Sequence, residues 1–160
     1  MQKIVMTVLF LVSLVGCATS SPYGNYADAS LDRNQMMAEA TVSKLAALYP
    51  PAHTRFKLQQ PTTDAYGVAL VQAMRDKGYA LVEYAPQGQG SAPSSATQAS
   101  AAASTAIATP GLDLRYVVDA PASNSLYRVT VLVGAQSISR AFTVAPDGKL
   151  YPAGAWVRKE

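Results

Sequence analysis

The sequence predicts an α+β domain, a small mixed or antiparallel sheet with two helices. Three observations carry that prediction. The stretches 31–48 and 64–77 place apolar residues three and four apart, the helical period. Five shorter stretches are rich in β-branched and aromatic residues and are bounded by Gly, Pro, Asn and Asp. The first two of these flank the second helix in a β-α-β order, whereas the later three follow one another through tight turns, as in an antiparallel meander.

The chain opens on MQKIVMTVLFLVSLVG. Lys3 gives a short positive start, Ile4 to Val15 form a nearly unbroken apolar run, and Gly16 is a small residue at a cut. Residues 1–16 read as a secretory signal, because a membrane-spanning helix needs about 20 apolar residues. Cys17 follows at once and is the only cysteine in 160 residues, so no disulfide can form within the chain. The ending LVGC resembles the bacterial lipobox. That resemblance implies that Cys17 is acylated and becomes the first residue of the mature protein. Each buried CH₂ contributes about 0.8 kcal/mol and one acyl chain holds a protein only marginally, so a diacylglyceryl thioether with a further chain on the new amino group makes the durable anchor. Ala18 stands where an aspartate commonly signals inner-membrane retention, which implies an outer-membrane anchor facing the periplasm. Apart from this covalent lipid on Cys17, no cofactor is expected.

Residues 17–27 are small, polar and turn-rich and read as a lipidated tether, with one periplasmic domain over 28–160. Asp28 or Ser30 can cap a first helix over Leu31 to Leu48, whose apolar face carries Leu31, Ala38, Val42, Leu45 and Tyr49, and Pro50-Pro51 ends it. HTRFKLQQ alternates Phe56 and Leu58 with polar neighbours and reads as a strand. Thr62 or Thr63 caps the second helix, with Tyr66, Leu70, Ala73 and Met74 on one face and Gly78 at its end. YALVEY is the next strand. The segment 85–110 holds no charged residue and little besides Ala, Ser, Thr, Gln, Gly and Pro. It lacks an apolar stripe and reads as a flexible loop interrupting the domain, with a span on the order of 30 Å. LDLRYVVD, SLYRVTVLVG and QSISRAFTV then form strands, with a turn over Asp119 to Ser125, a link at Gly134-Ala135 and a tight turn at Pro146-Asp147-Gly148. Tyr127, Val129, Val131 and Val133 share the buried parity, and Arg128, Thr130 and Leu132 the wetter one.

Formal charge is +3, and +2 without Lys3, too weak for a nucleic-acid face. Ser137 and Ser139 lack the GxSxG turn that exposes a nucleophile, and His53 is the sole imidazole. Asp113 and Asp119 with Glu83 offer carboxylates of glycosidase type, but nothing in the sequence sets their separation. No phosphate-cradling glycine loop or metal-ligand cluster appears. The sequence argues against an enzyme. The ending YPAGAWVRK places Tyr151, Trp156 and Arg158 close together, residue types that dominate protein contacts. Either Trp156 closes the core of the sheet or the three form a contact surface, and both hold if this final strand takes a partner by β-addition.

The ordered blocks ALYPPAHTRFKLQQPTTDAYGVALVQAMRDKGYALVEY, LYRVTVLVGAQSISRAF and PAGAWVRKE, with the CATSSPYGNYA start, resemble the TrbH family of conjugal transfer lipoproteins. The resemblance covers nearly all of the mature chain except the Ala/Ser-rich segment. It implies a structural or assembly subunit of the mating-pair-formation apparatus, a type IV secretion system spanning both membranes of Gram-negative bacteria. Its implied partners are the outer membrane, through the lipid, and other channel proteins, with no direct nucleic-acid contact. Only Cys17 carries a role over, because the family offers no catalytic residues. The element order is also similar to the small periplasmic domains of secretin N-termini, an analogy at the level of fold. A periplasmic lipoprotein that binds peptidoglycan or a small ligand, with Trp156, Tyr151 and Arg158 as a stacking platform, is the rival expectation.

Overall fold

The computed structural model of the chain describes residues 21–85, 111–122 and 125–160. The expected signal, Cys17 and residues 86–110 of the Ala/Ser-rich segment lie outside the described residues. What is described is an α+β arrangement, two helices on one face of an open mixed sheet.

Helix α1 spans Leu31–Leu48. The Ser30 hydroxyl accepts from Arg33 N at 3.5 Å, Asp32 in the first turn complements the positive helix end, and two prolines stand just past its last residue. Its buried residues are Asn34, Met37, Ala38, Thr41, Val42 and Leu45, a stripe with helical spacing. Leu31, expected on that stripe, is 76 % exposed. Asn34 takes the inner position of the first turn instead, because its amide finds backbone acceptors there: Nδ2 donates to Ala29 O at 2.8 Å and to Ser30 O at 3.0 Å.

Strand β2, Arg55–Leu58, buries Phe56 and Leu58 as the alternation requires. Helix α2, Ala65–Asp76, is capped by Asp64 rather than by Thr62 or Thr63; the Asp64 carboxylate accepts from Gly67 N at 2.8 Å. Gly78 lies in the left-handed region at φ +84°, which lets the chain leave α2 and enter strand β3, Ala80–Val82. β2 and β3 pair in parallel, so α2 is their crossover.

Strands β4 (Leu112–Ala122), β5 (Leu126–Val133), β6 (Gln136–Val144) and β7 (Leu150–Pro152) form the antiparallel meander, in the sheet order β3-β2-β4-β5-β6-β7. The turn expected over Asp119 to Ser125 is shorter, because pairing resumes at Ala122 opposite Leu126 beyond an irregularity after Asp119. The sheet is mixed because β2 joins β4 in parallel, Leu58 opposite Leu114. Further along the same side of β4, the two-residue strand β1, Gly24–Asn25, also pairs in parallel, opposite Val117 and Val118. The stretch expected to be a tether over 17–27 is thus docked in its described part.

The final strand β8, Val157–Lys159, lies on the same outer edge of β6 as β7. Thr143 faces Tyr151, yet Ser139 faces Val157, so two extra residues bulge from the edge between them. One parity of the strands meets the helices. Tyr66, Tyr116, Tyr127, Phe56, Met37 and Leu45 are its largest fully buried side chains. The other parity faces outward, and among the described residues no helix packs on it.

Candidate functional site

Three places gather polar or exposed side chains: a buried seam beside β4, the edge strand, and the outward sheet face. The seam lies where β2 and β1 leave a gap along β4. Gln59 N still donates to Leu114 O at 3.0 Å, and Tyr26 N donates to Val118 O at 2.7 Å. Between them the side chain of Gln60 replaces a strand: Nε2 donates to Tyr116 O at 3.2 Å and Oε1 accepts from Tyr116 N at 3.0 Å. Gln60 is 2 % exposed, and its amide satisfies two buried main-chain groups that no strand reaches.

The Tyr116 hydroxyl donates to Asp64 Oδ2 at 2.5 Å, beside the Asp64 oxygen that caps α2. Gly67 is required there. A Cβ at that position would stand 2.2 Å from the Tyr116 hydroxyl oxygen and 2.9 Å from Thr62 Cα. Tyr66 packs on Tyr116 with ring centroids 5.1 Å apart, and its hydroxyl donates to Thr41 Oγ1 at 2.9 Å. Burial pushes both phenols above their ordinary value, and for Tyr116 the hydrogen bond to the Asp64 carboxylate adds to the rise. Every group here has a partner, so the seam holds helix to sheet and presents nothing to a ligand.

At the edge, Trp156 stands in the bulge with its ring edge-on to Phe142, centroids 6.5 Å apart, and the Arg140 guanidinium lies 5.8 Å from both rings. Arg140 Nε also donates to the main chain of the bulge at Gly154 O, 2.8 Å. Arg158 Nη2 donates to Gln136 Oε1 at 2.8 Å, an oxygen that also accepts from the Tyr49 hydroxyl. Tyr151 pairs with Thr143, on the opposite side of the sheet from Phe142 and Trp156, and donates to Asp147 Oδ2 at 3.1 Å; that carboxylate pushes its pKa up. The structure therefore does not bring Tyr151, Trp156 and Arg158 together as one stacking surface, because Trp156 folds back onto the core.

The remaining candidates are apart as well. His53 closes a 3₁₀ turn over Pro51–His53, and among the described residues no hydrogen bond links it to Ser137 or Ser139 on β6. Glu83 pairs with Arg75, Asp113 accepts from Gln59 Nε2 at 2.6 Å, and Asp119 accepts from Arg128 at 3.1 and 2.6 Å. The Asp119 carboxylate in turn pushes the Arg128 guanidinium up. Asp113 and Asp119 lie six positions apart on β4, hence about 20 Å along an extended strand, more than twice the separation glycosidase chemistry uses. Among the described residues no group of three His, Cys, Asp or Glu could hold a metal ion, and no helix is long and apolar enough to cross a membrane.

Two open surfaces are left among the described residues. A groove of about 580 Å³ runs between the outer sides of α1 and α2, past Leu31, Val42 and Val68, with Glu39 and Asp76 on its walls. The outward sheet face carries Arg55 and Lys57 from β2, Asp113, Arg115 and Val117 from β4, Thr130 and Leu132 from β5, and Lys159 from β8. Tyr23 lies against it, its ring centroid 5.2 Å from the Arg115 guanidinium carbon. Periodicity assigns the outward parity, but no motif marks this face or Gln60 in the sequence.

A family model described as conjugal transfer protein TrbH matches residues 20–160. The chain belongs to the TrbH family. Membership ties it to conjugal transfer, the TrbH family being one of transfer components. The matched range covers both helices and all eight strands of the described residues of this TrbH-family chain. No curated protein and no solved structure matches it.

Proposed function

We propose that this TrbH-family chain is a structural or assembly subunit of a conjugative type IV secretion apparatus, held by lipid on Cys17 at the periplasmic face of the outer membrane. The family match carries the link to conjugal transfer. The lipobox-like LVGC carries the anchor: an apolar run of signal length ends directly on the only cysteine. Confinement to a leaflet raises effective concentration, so individually weak contacts with channel proteins suffice to hold such a subunit in place. The small α+β domain acts there as an interaction module. Its likeness to secretin N-terminal domains rests on element order alone.

Deleting the gene in a donor strain tests the reading. Mating and pilus assembly should be lost and restored by the gene in trans, while nicking of the transferred DNA continues. Undiminished transfer from the deletion strain would remove the proposal.

A further inference from the structure

We propose that the outward face of the sheet rests on an anionic phospholipid surface, with the two helices turned away from the membrane. This deepens the proposed function and rests on Cys17 being the lipid anchor. Arg55, Lys57, Arg115 and Lys159 stand on that face, and none of the three ion pairs among the described residues uses them. Asp119 is taken up by Arg128, and Asp113, beside Lys57, is the single acid left to oppose the four cations. Helix α1 is balanced, with Asp32 and Glu39 against Arg33 and Lys44, and so is α2, with Asp76 against Arg75. Positive charge is therefore sorted to the sheet side, the complement of an anionic leaflet.

The path of the chain points the same way. Tyr23 lies over Arg115 on the outward face, so the N-terminal segment leaves the domain on the basic side. Tyr23 lies six positions after Cys17, a stretch that reaches at most about 20 Å. Electrostatic attraction to a charged leaflet fades over a Debye length of about 8 Å at physiological salt. A tether this short keeps the outward face within a small distance of the lipid. Turning the helices to the membrane instead would make the tether pass around the sheet and a helical layer about 10 Å thick. Val117, Thr130 and Leu132 form the middle of the face, less polar than its rim, as suits a headgroup contact.

The test uses the full chain, processed and acylated in a Gram-negative host and reconstituted into vesicles. One set is phosphatidylethanolamine with phosphatidylglycerol, the other phosphatidylcholine alone. Thr130→Cys puts a fluorescent label on the outward face, and Val68→Cys puts one on α2, where Val68 is exposed. Headgroup-attached nitroxide lipids supply the quencher. On anionic vesicles the Thr130→Cys label should be quenched several-fold more than the Val68→Cys label. That preference should shrink with each of Arg55, Lys57 and Arg115 changed to Ala, be lost when all three are changed, and vanish in high salt and on phosphatidylcholine. Thermal melts confirm that the substituted chains are folded. Equal quenching of the two labels on anionic vesicles overturns the proposal. So does a Thr130→Cys label shielded alike in every lipid and salt, which would mean that protein covers the face. A chain that leaves both kinds of vesicle and takes up a second label at Cys17 refutes the anchor itself, and this orientation with it.

Discussion

Gln60 is the residue on which the join between β1, β2 and β4 turns. Its amide supplies one donor and one acceptor to Tyr116, so Gln60→Ala leaves a buried N–H and a buried C=O unpaired. The expected loss is about 3 kcal/mol, read as a lower urea midpoint; a change within error would show that water fills the gap. Gly67→Ala should cost a similar amount, about 3 kcal/mol, because the new methyl displaces the Tyr116 hydroxyl from Asp64 and presses on the Thr62 main chain. Tyr66 gives a pH signature. Burial raises its folded pKa above the ordinary value of 10, so its contribution is intact below about pH 10 and is lost as pH rises, the unfolded phenol ionising first. Unfolding free energy should therefore fall between pH 9 and pH 11, and Tyr66→Phe should reduce that fall by about 1.4 kcal/mol. An unchanged fall would mean that the phenol ionises alike in both states. None of these three residues announces its part in the sequence. A glutamine in a loop, a glycine in a first turn and a tyrosine on an apolar stripe acquire it from Tyr116, which lies 49 to 56 positions away.

Elements were legible where local periodicity and capping agree. The bounds of α1 follow from Ser30, the apolar spacing and the prolines, and those of β5 from a strict alternation that the burial pattern reproduces. Leu31 misled because helical spacing says which residues share a stripe, not how far the neighbouring layer extends along it. The cap of α2 misled because Thr62, Thr63 and Asp64 all qualify, and Asp64 alone also accepts from Tyr116. The edge strand is the least local element, since its two halves share one neighbour across a bulge. Trp156→Ala removes the contact with Phe142 and one wall around Arg140. It should cost about 2 kcal/mol and speed hydrogen exchange of β8 without affecting β4. Equal acceleration in both strands would mean that the edge and the core unfold as one unit.

For the whole molecule, the family match and the fold leave function with the surfaces. Cys17→Ser should leave an unacylated precursor that takes up no labelled palmitate and should lower transfer as far as gene deletion does. Normal transfer by a palmitate-free chain would detach the function from the anchor. The helical groove and the outward sheet face are both open, but of the two only the sheet face has sorted charge and the incoming chain beside it. That difference arises from topology. β1 docks further along the edge of β4 that β2 occupies, which brings Tyr23 and Arg115 together across 92 positions.

The sequence by itself determined the two helices, the strand parities, the α+β class and the family, because each depends on spacing, on capping within a few residues or on the linear order of blocks. Tertiary structure alone decided the mixed pairing around β4, the amide of Gln60 in place of a strand, the folding of Trp156 onto the core and the gathering of cations on the side without helices. Those features join residues far apart in the chain, and local propensity carries no term for a partner that only folding supplies.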